Sequence, residues 1–162
     1  MPRVNPPGVT EVVWVPAIAD TAAPTTTELN HANAKDLTGY VRGIPSVPET
    51  GNTADTADLS SKFNKRIPAS YGGDNLTIEF WRDDDGTDLA YETATRGAEG
   101  DWVIPWDGLA TAGTFAVSDD VWVYPCTIIS RGMGTPGRDE ALWFVSESAM
   151  TDVPTEKFTL LS

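Results

Sequence analysis

Short runs along the chain carry apolar side chains at every second position, with clusters of Gly, Pro, Asn and Asp between them. The plainest is "DNLTIEFWRD" (74–83), where Leu76, Ile78 and Phe80 fall on one side and Thr77 and Glu79 on the other. Successive side chains of a strand point to opposite faces, so this spacing predicts a strand with one buried face. The runs "TEVVWVPAI" (10–18), "DWVIPWDG" (101–108), "EALWFVSES" (140–148) and "PTEKFTLLS" (154–162) read as strands on the same grounds. Pro16 marks an edge or the end of the first of them.

Residues 119–131 break the rule. Trp122, Tyr124, Cys126 and Ile128 point one way, and Val121, Val123, Pro125 and Ile129 point the other. Both faces are apolar, so both need cover, and the chain's own core accounts for only one.

One segment has helical rather than alternating spacing. In "GTDLAYETATRG" (86–97), Thr87 or Asp88 can cap the N-terminus, Leu89, Ala90 and Ala94 share a face, and Gly97 stands where a C′ glycine belongs. A shorter helical turn fits "TTTELNHA" (25–32), where Thr25 and Glu28 match a capping box. One helix among some seven or eight strands predicts a mainly β fold, a β-sandwich or barrel-like domain with a flanking helix at 86–97. Residues 1–9 hold three prolines and no alternation, and read as a flexible N-terminal arm. Residues 43–61, "GIPSVPETGNTADTADLSS", are poor in large apolar side chains and read as a long loop. The expected organisation is one domain spanning 10–162.

Charge narrows the function. Twenty-four acids against eleven bases leave a net charge of −13 over 162 residues. A phosphate-neutralising nucleic-acid binder needs clustered Lys and Arg, so this balance argues against one and suits a protein that must repel a polyanion. The single Cys126 can form no internal disulfide and reads as a small buried strand residue. No apolar run of about 18 residues is present to span a membrane. The start "MPRVNPPGVT" lacks the apolar stretch of a secretory signal, so none is expected.

Candidate chemistry is thin. His31 is the one histidine, and no G-x-S-x-G lies near it, which leaves little for a triad or a zinc site. "RDDDGTD" (82–88) gathers acids around a glycine, but the spacing fails the calcium-loop pattern and fits a solvated turn. "GMGTPG" (132–137) lacks the G-K-[ST] of a phosphate loop. No catalytic, cofactor or metal residue is expected, and the chain reads as a non-enzyme. Paired carboxylates for glycoside chemistry stay open, because so many acids allow many pairings. Six tryptophans, Trp14, Trp81, Trp102, Trp106, Trp122 and Trp143, lie in or beside strand-like runs. Core or interface packing is their usual use, with a sugar-binding surface as the alternative.

An ordered set of segments resembles the tail tube (major tail) proteins of long-tailed, siphovirus-type bacteriophages, particularly those infecting actinobacteria. The set runs from "VVWVPAIADTAAPTTTEL" (12–29) through "DLTGYV" (36–41), "DLSSKFNKRIPAS" (58–70) and "LTIEFWRDDDGTD" (76–88). It ends with a helix closing at a glycine before "GDWVIPWDG", and with "DDVWVYPCTIIS" (119–130). The "RGMGTPGRDEAL" turn, and Lys62, Lys65 and Arg66 as a basic patch within 58–70, match no feature of that family.

The resemblance implies a β-sandwich subunit with one flanking helix, six copies closing into a ring, and rings stacking into a tube through which the genome leaves. The second apolar face of 119–131 would then lie against the helix or a neighbouring subunit, and loop 43–61 against an adjacent subunit or ring. Asp55, Asp58 and Asp101 are the candidate lumen-facing acids; Trp122, Tyr124 and Trp143 are the candidate subunit-interface residues. The implied partners are further copies of the chain and tape measure, tail terminator and baseplate proteins, with duplex DNA passing unbound. The implied location is the virion tail, after assembly in the host cytoplasm. Other virion roles, head decoration or tail completion, share this acidic, β-rich profile, as less closely does a carbohydrate-binding module.

Overall fold

The computed structural model describes residues 9–47, 50–55, 66–84 and 86–162, with backbone alone at 50, 52, 55 and 66–71. In chain order the elements are β1 (Val13–Val15), α1 (Thr26–Leu29), β2 (Lys35–Asp36), a 3-10 turn (Thr38–Tyr40), β3 (Val41–Ser46), β4 (Thr50–Asp55) and β5 (Arg66–Gly72). Then come β6 (Leu76–Trp81), α2 (Leu89–Thr93), β7 (Glu99–Ile104), β8 (Asp120–Met133), β9 (Trp143–Met150) and β10 (Thr155–Thr159). Every pairing is antiparallel. The main sheet runs β2-β1-β7-β8-β9-β6-β3, with β10 also on β8, while β4 and β5 form a separate two-stranded sheet. The sheet is not closed into a barrel.

The strand β8 organises the rest. Its 14 residues pair with β7, with β9 and with β10, so it serves two halves of the sheet. A register shift between Ile128 and Ser130 marks a bulge, which bends a strand and adds twist. The halves meet around an apolar cluster that includes Trp14, Trp102, Ile104 and Tyr124 from one and Leu76, Ile78, Phe80 and Phe144 from the other. Trp102 stacks on Phe80 with ring centroids 5.9 Å apart and meets Trp14 edge-on at 4.7 Å. Ala90 and Ala94 bring α2 against the same cluster.

A second cluster lies on the opposite face of β1, β7 and β8, formed by Val13, Val15, Leu29, Val103, Phe115, Val121, Val123 and Leu160. This is the cover that the two-faced run needed. Leu29 of α1, Phe115 of the 105–119 segment, and Leu160 just after β10 supply it from within the subunit. The assignment of faces holds for Trp122 to Ile128 and for Val121 and Val123, but Ile129 is 37% exposed because the bulge falls on it.

Local chemistry explains the helices. Thr25 and Glu28 form a reciprocal capping box on α1. Of the two N-cap candidates for α2, Asp88 is used, its Oδ1 accepting from Tyr91 N–H at 3.2 Å. The helix covers Leu89–Thr93 rather than 86–97, and it turns away at Ala94 (ψ 49). Thr93 and Thr95 are β-branched and hold a helix poorly, and Gly97 takes φ +87 two residues later.

The long loop at 43–61 is the main correction. Residues 41–46 form β3, paired with β6, and 50–55 form β4, paired with β5. Val41 and Ile44 pack against the first apolar cluster, and backbone hydrogen bonds to neighbouring strands order the rest. Residues 56–61 lie outside the described residues, as do 1–8 of the expected arm.

Two serines on the core face of β9 differ sharply. Ser148 Oγ accepts from Trp102 Nε1 at 3.1 Å, whereas Ser146 Oγ is buried without a partner. Replacing Ser148 with Ala orphans the indole and is expected to cost about 1–3 kcal/mol. Ser146→Ala removes only an unsatisfied hydroxyl and is expected to be neutral or stabilising by up to about 1 kcal/mol. Chemical denaturation of the two variants checks the contrast; equal destabilisation would overturn it.

Candidate functional site: an open sheet face and its edges

One half of the sheet keeps a face that neither apolar cluster covers. Alternation sends Thr77, Glu79 and Trp81 of β6, and Trp143, Val145 and Glu147 of β9, away from the core. The register puts Trp81 opposite Trp143, Glu79 opposite Val145 and Thr77 opposite Glu147. All six are half-exposed.

Arg42 of β3 lies across this face. Its guanidinium pairs with Glu79 and with Glu140, the latter at 2.9 Å, and sits 4.3 Å from the Trp143 ring centroid and 5.4 Å from that of Trp81. The Gly137 N–H, and after it Arg42, hold the Glu140 carboxyl below the usual carboxylate range. With side chains 21–30% exposed, such pairs are weakened by solvent screening, so the clamp fixes orientation more than stability. Further along, Asn75 Nδ2 donates to Glu147 at 2.7 Å and Ser130 Oγ at 3.3 Å. The face is therefore polar, ordered and flanked by two aromatic rings.

A second arginine group surrounds α2. Arg82 and Arg131 stand over Tyr91, 3.8 and 3.7 Å from its ring centroid, and Arg82 also pairs with Asp88. Arg131 donates to the Tyr91 carbonyl.

The candidate residues read from sequence fall in different places. Trp143 lies on the open face, with Gly134 against its ring so closely that a Cβ there would come within 2.3 Å. Trp122 is half-buried against the first cluster, and Tyr124 is 7% exposed within it, its hydroxyl accepting from Trp106 Nε1 at 3.1 Å. Asp55 is in β4, described as backbone, and Asp58 lies outside the described residues. Asp101 of β7 is 5% exposed, and its carboxylate accepts the Ile18 N–H. A carboxylate so enclosed presents little charge to a channel. Beside it Glu28 accepts the Ala19 N–H at 2.8 Å, so two acids hold consecutive amides of the 16–19 segment.

The Arg42 clamp with Glu79 and Glu140 is absent from the sequence reading. Alternation alone puts Glu79 and Trp81 on one outward face; the 98-residue separation of Arg42 from Glu140 leaves no local signal. Among the described residues no group of three or more His, Cys, Asp and Glu side chains converges as a metal site would require. His31 Nδ1 accepts the Asn33 N–H. No described helix is long and apolar enough to cross a membrane.

Burial pushes Asp101 up to about 6 from 3.8, with Glu28 adding to the shift and the Ile18 N–H opposing it. Its raised value means that folding retains a proton between pH 4 and 6 that the unfolded chain has already released. Stability contributed by this group is intact below pH 4 and falls as pH rises through 6, by at most about 3 kcal/mol. Asp101→Asn keeps an acceptor for Ile18 and removes the buried charge. It should melt higher than the wild type at pH 7.5, with the gain vanishing near pH 4; a lower melting point at pH 7.5 would show the charge to be favourable.

A family model for the phage tail tube protein matches residues 1–160. Comparison with curated proteins finds no match. Among solved structures, a chain of the anti-feeding prophage baseplate, determined by cryo-EM with six-fold symmetry applied, superposes with TM-score 0.61. Its sequence is 13% identical, and the match covers 96% of this chain and 97% of that one. A chain from the sheath/tube terminator of an extracellular contractile injection system gives TM-score 0.59 at 12% identity, covering 94% and 96%. At such identities the likeness is one of fold.

Proposed function

Because the chain belongs to the phage tail tube protein family, we propose that this tail structural protein polymerises as stacked six-membered rings whose bore carries the genome out. The observation that supports this best is the condition of the main sheet. Among the described residues its end strands β2 and β3 each lack a second neighbour. Unpaired edges are liabilities in a monomer and templates in an assembly. Head-to-tail pairing of unlike surfaces closes a ring when the rotation is right, and ring-on-ring contacts then extend without limit. The six-fold symmetry of the anti-feeding prophage baseplate is in keeping with that ring number.

Charge supports the passage of DNA. A net −13 per subunit gives a six-membered ring on the order of −80 before counterions. A basic bore would hold the duplex by its phosphates, whereas an acidic one lets it slide. In this reading the polar face with Glu79 and Glu147 looks into the bore, joined by Asp55 and Asp58 from the hairpin region. Trp122, half-exposed, is the aromatic contact between subunits, while Trp143 shares the bore-facing side with Glu147. Tape measure, terminator and baseplate proteins are the remaining partners, in a virion tail assembled in the host cytoplasm. The family is structural, and no catalytic role is assigned.

The likeness to a sheath/tube terminator chain favours a second reading, a terminator that forms one ring and stops. Electron microscopy of the purified protein over a concentration series separates the two. Long hollow tubes of six-fold rings are expected above a threshold concentration; single rings would select the terminator, and monomers at every concentration would overturn both.

The bore has its own test. Lys in place of Asp55, Asp58 or Glu147 is expected to leave tubes intact and to slow genome release, most at low salt where screening is weak. Unchanged release rates across the salt range would remove these acids from the bore.

A further inference from the structure

The strand β8 is paired on both sides only as far as Ile128. On one side β9 accompanies it to Met133. On the other, β7 ends its pairing at Thr127, and Gly97 and Ala98 make the last backbone bonds, both to Ile128. Beyond that point a cleft of about 520 Å³ opens, lined by Arg96, Ile129, Ser130, Arg131 and Gly132. That is the size of a small-ligand site, so it can take several side chains at once. No acid lines it. Arg96 is exposed and makes no ion pair among the described residues. Arg131 is fixed by the Tyr91 ring and carbonyl, and no described carboxylate pairs with it. Ile129, 37% exposed, adds an apolar side chain to the same wall. On a chain of net charge −13, the cleft is a place where a partner's acids are attracted rather than repelled.

One described segment carries the complementary set. Val153 is 74% exposed in the turn 151–154 between β9 and β10. Asp152 before it and Glu156 after it are exposed, and neither pairs with a described base. Asp152 accepts the Val153 N–H at 2.7 Å and Pro154 fixes the next φ, so the turn is stiff before anything binds it. Lys157, the base that follows, is turned toward Asp107 and Asp120, at 3.9 and 3.7 Å. Other exposed apolar side chains lack this setting. Leu142 follows Glu140, which Arg42 already holds; Val117 precedes Asp119, which is buried; Met133 lies against Arg82. The turn leaves on the β9–β10 side of β8 and the cleft opens on the β7 side, so one molecule presents them on opposite edges of that strand.

We propose that the 151–156 turn of one copy seats in the Arg96–Ile129–Arg131 cleft of the next, with Val153 against Ile129 and the two acids against the two arginines. The apolar contact removes two exposed side chains from water, and the flanking charges set partner choice and orientation. The surfaces are unlike and lie on opposite edges, so each subunit gives one turn and receives one, as head-to-tail growth requires. The contact rests on the self-assembly reading above and says which surfaces meet.

Two single-cysteine variants test it. Val153→Cys and Ile129→Cys both alter exposed side chains, and native Cys126 is buried and does not compete. Mixed, assembled and treated with a short thiol-reactive spacer, the two chains should link to each other, and neither variant alone should link to itself. Charge gives an independent readout. Arg96→Gln should raise the threshold concentration for assembly about fivefold, and Asp152→Asn combined with Glu156→Gln should raise it at least as much. In a chain carrying all three changes, the arginine substitution should add almost nothing, because its partners are already neutral. Assemblies without the 129–153 link, or threshold effects that simply multiply, would overturn the contact while leaving the tube reading in place. Absence of any assembly from the wild-type chain would overturn both.

Discussion

The fold depends on covering both faces of the strand Asp120–Met133. Val121 and Val123 face one way and Trp122, Tyr124, Cys126 and Ile128 the other. Full burial of each such side chain is worth about 1.5–3 kcal/mol, so leaving either face wet would cost more than a domain of this size can spare. Two clusters on opposite sides of one sheet meet the demand. The inner one needs the sheet to bend until Phe80 reaches Trp102, and the outer one needs α1, the 105–119 segment and the chain after β10 to lie across the back. Cys126 illustrates how dry the inner side is, since burial pushes its thiol up to about 12.

That solution uses up the covering segments. The half with β1, β7 and the start of β8 is buried on both faces, and the half with β6 and β9 on only one. Its outer side is then built from alternating polar and aromatic residues rather than from Val and Ile, and cross-strand hydrogen bonds fix it in place. The same asymmetry leaves the edges open. A free monomer would carry a sheet edge beside a cleft with two arginines and a hairpin that pairs with no other described strand, a combination that invites association.

Much of this was legible along the chain. Period-two alternation identified β6 and β9, and the two-faced run identified β8 as the element needing cover on both sides. The capping box at Thr25 and Glu28 and the Asp88 cap were readable because their partners lie three residues away. What escaped had no local signature. Residues 43–46 and 50–55 look like loop because most of their side chains are small or polar, yet Ile44 packs against the first cluster and backbone pairing with other strands orders the rest. Arg42 looks like any surface arginine until the fold brings Glu79 and Glu140 to it. Asp101 reads as a lumen-facing acid at the start of a strand, but it is buried in β7, where its carboxylate accepts the Ile18 N–H.

The placement of acid and base completes the physical picture. Few bases are available to offset 24 acids, and several of them are committed locally: Arg42 to two carboxylates, Arg82 to Asp88, and Arg131 to Tyr91. Arg42 and Arg82 between them offset two of the three carboxylates Glu79, Glu140 and Asp88, so the net −13 is carried by an excess of acids that these local pairs do not remove. Such an excess repels other copies at long range, and screening within about 8–10 Å at physiological salt removes most of that cost. At contact distance the balance reverses, because strand edges and the few uncommitted arginines act only over a few ångströms. A surface that repels from afar and binds at specific edges resists random aggregation and still permits ordered growth, which a stacked tube requires.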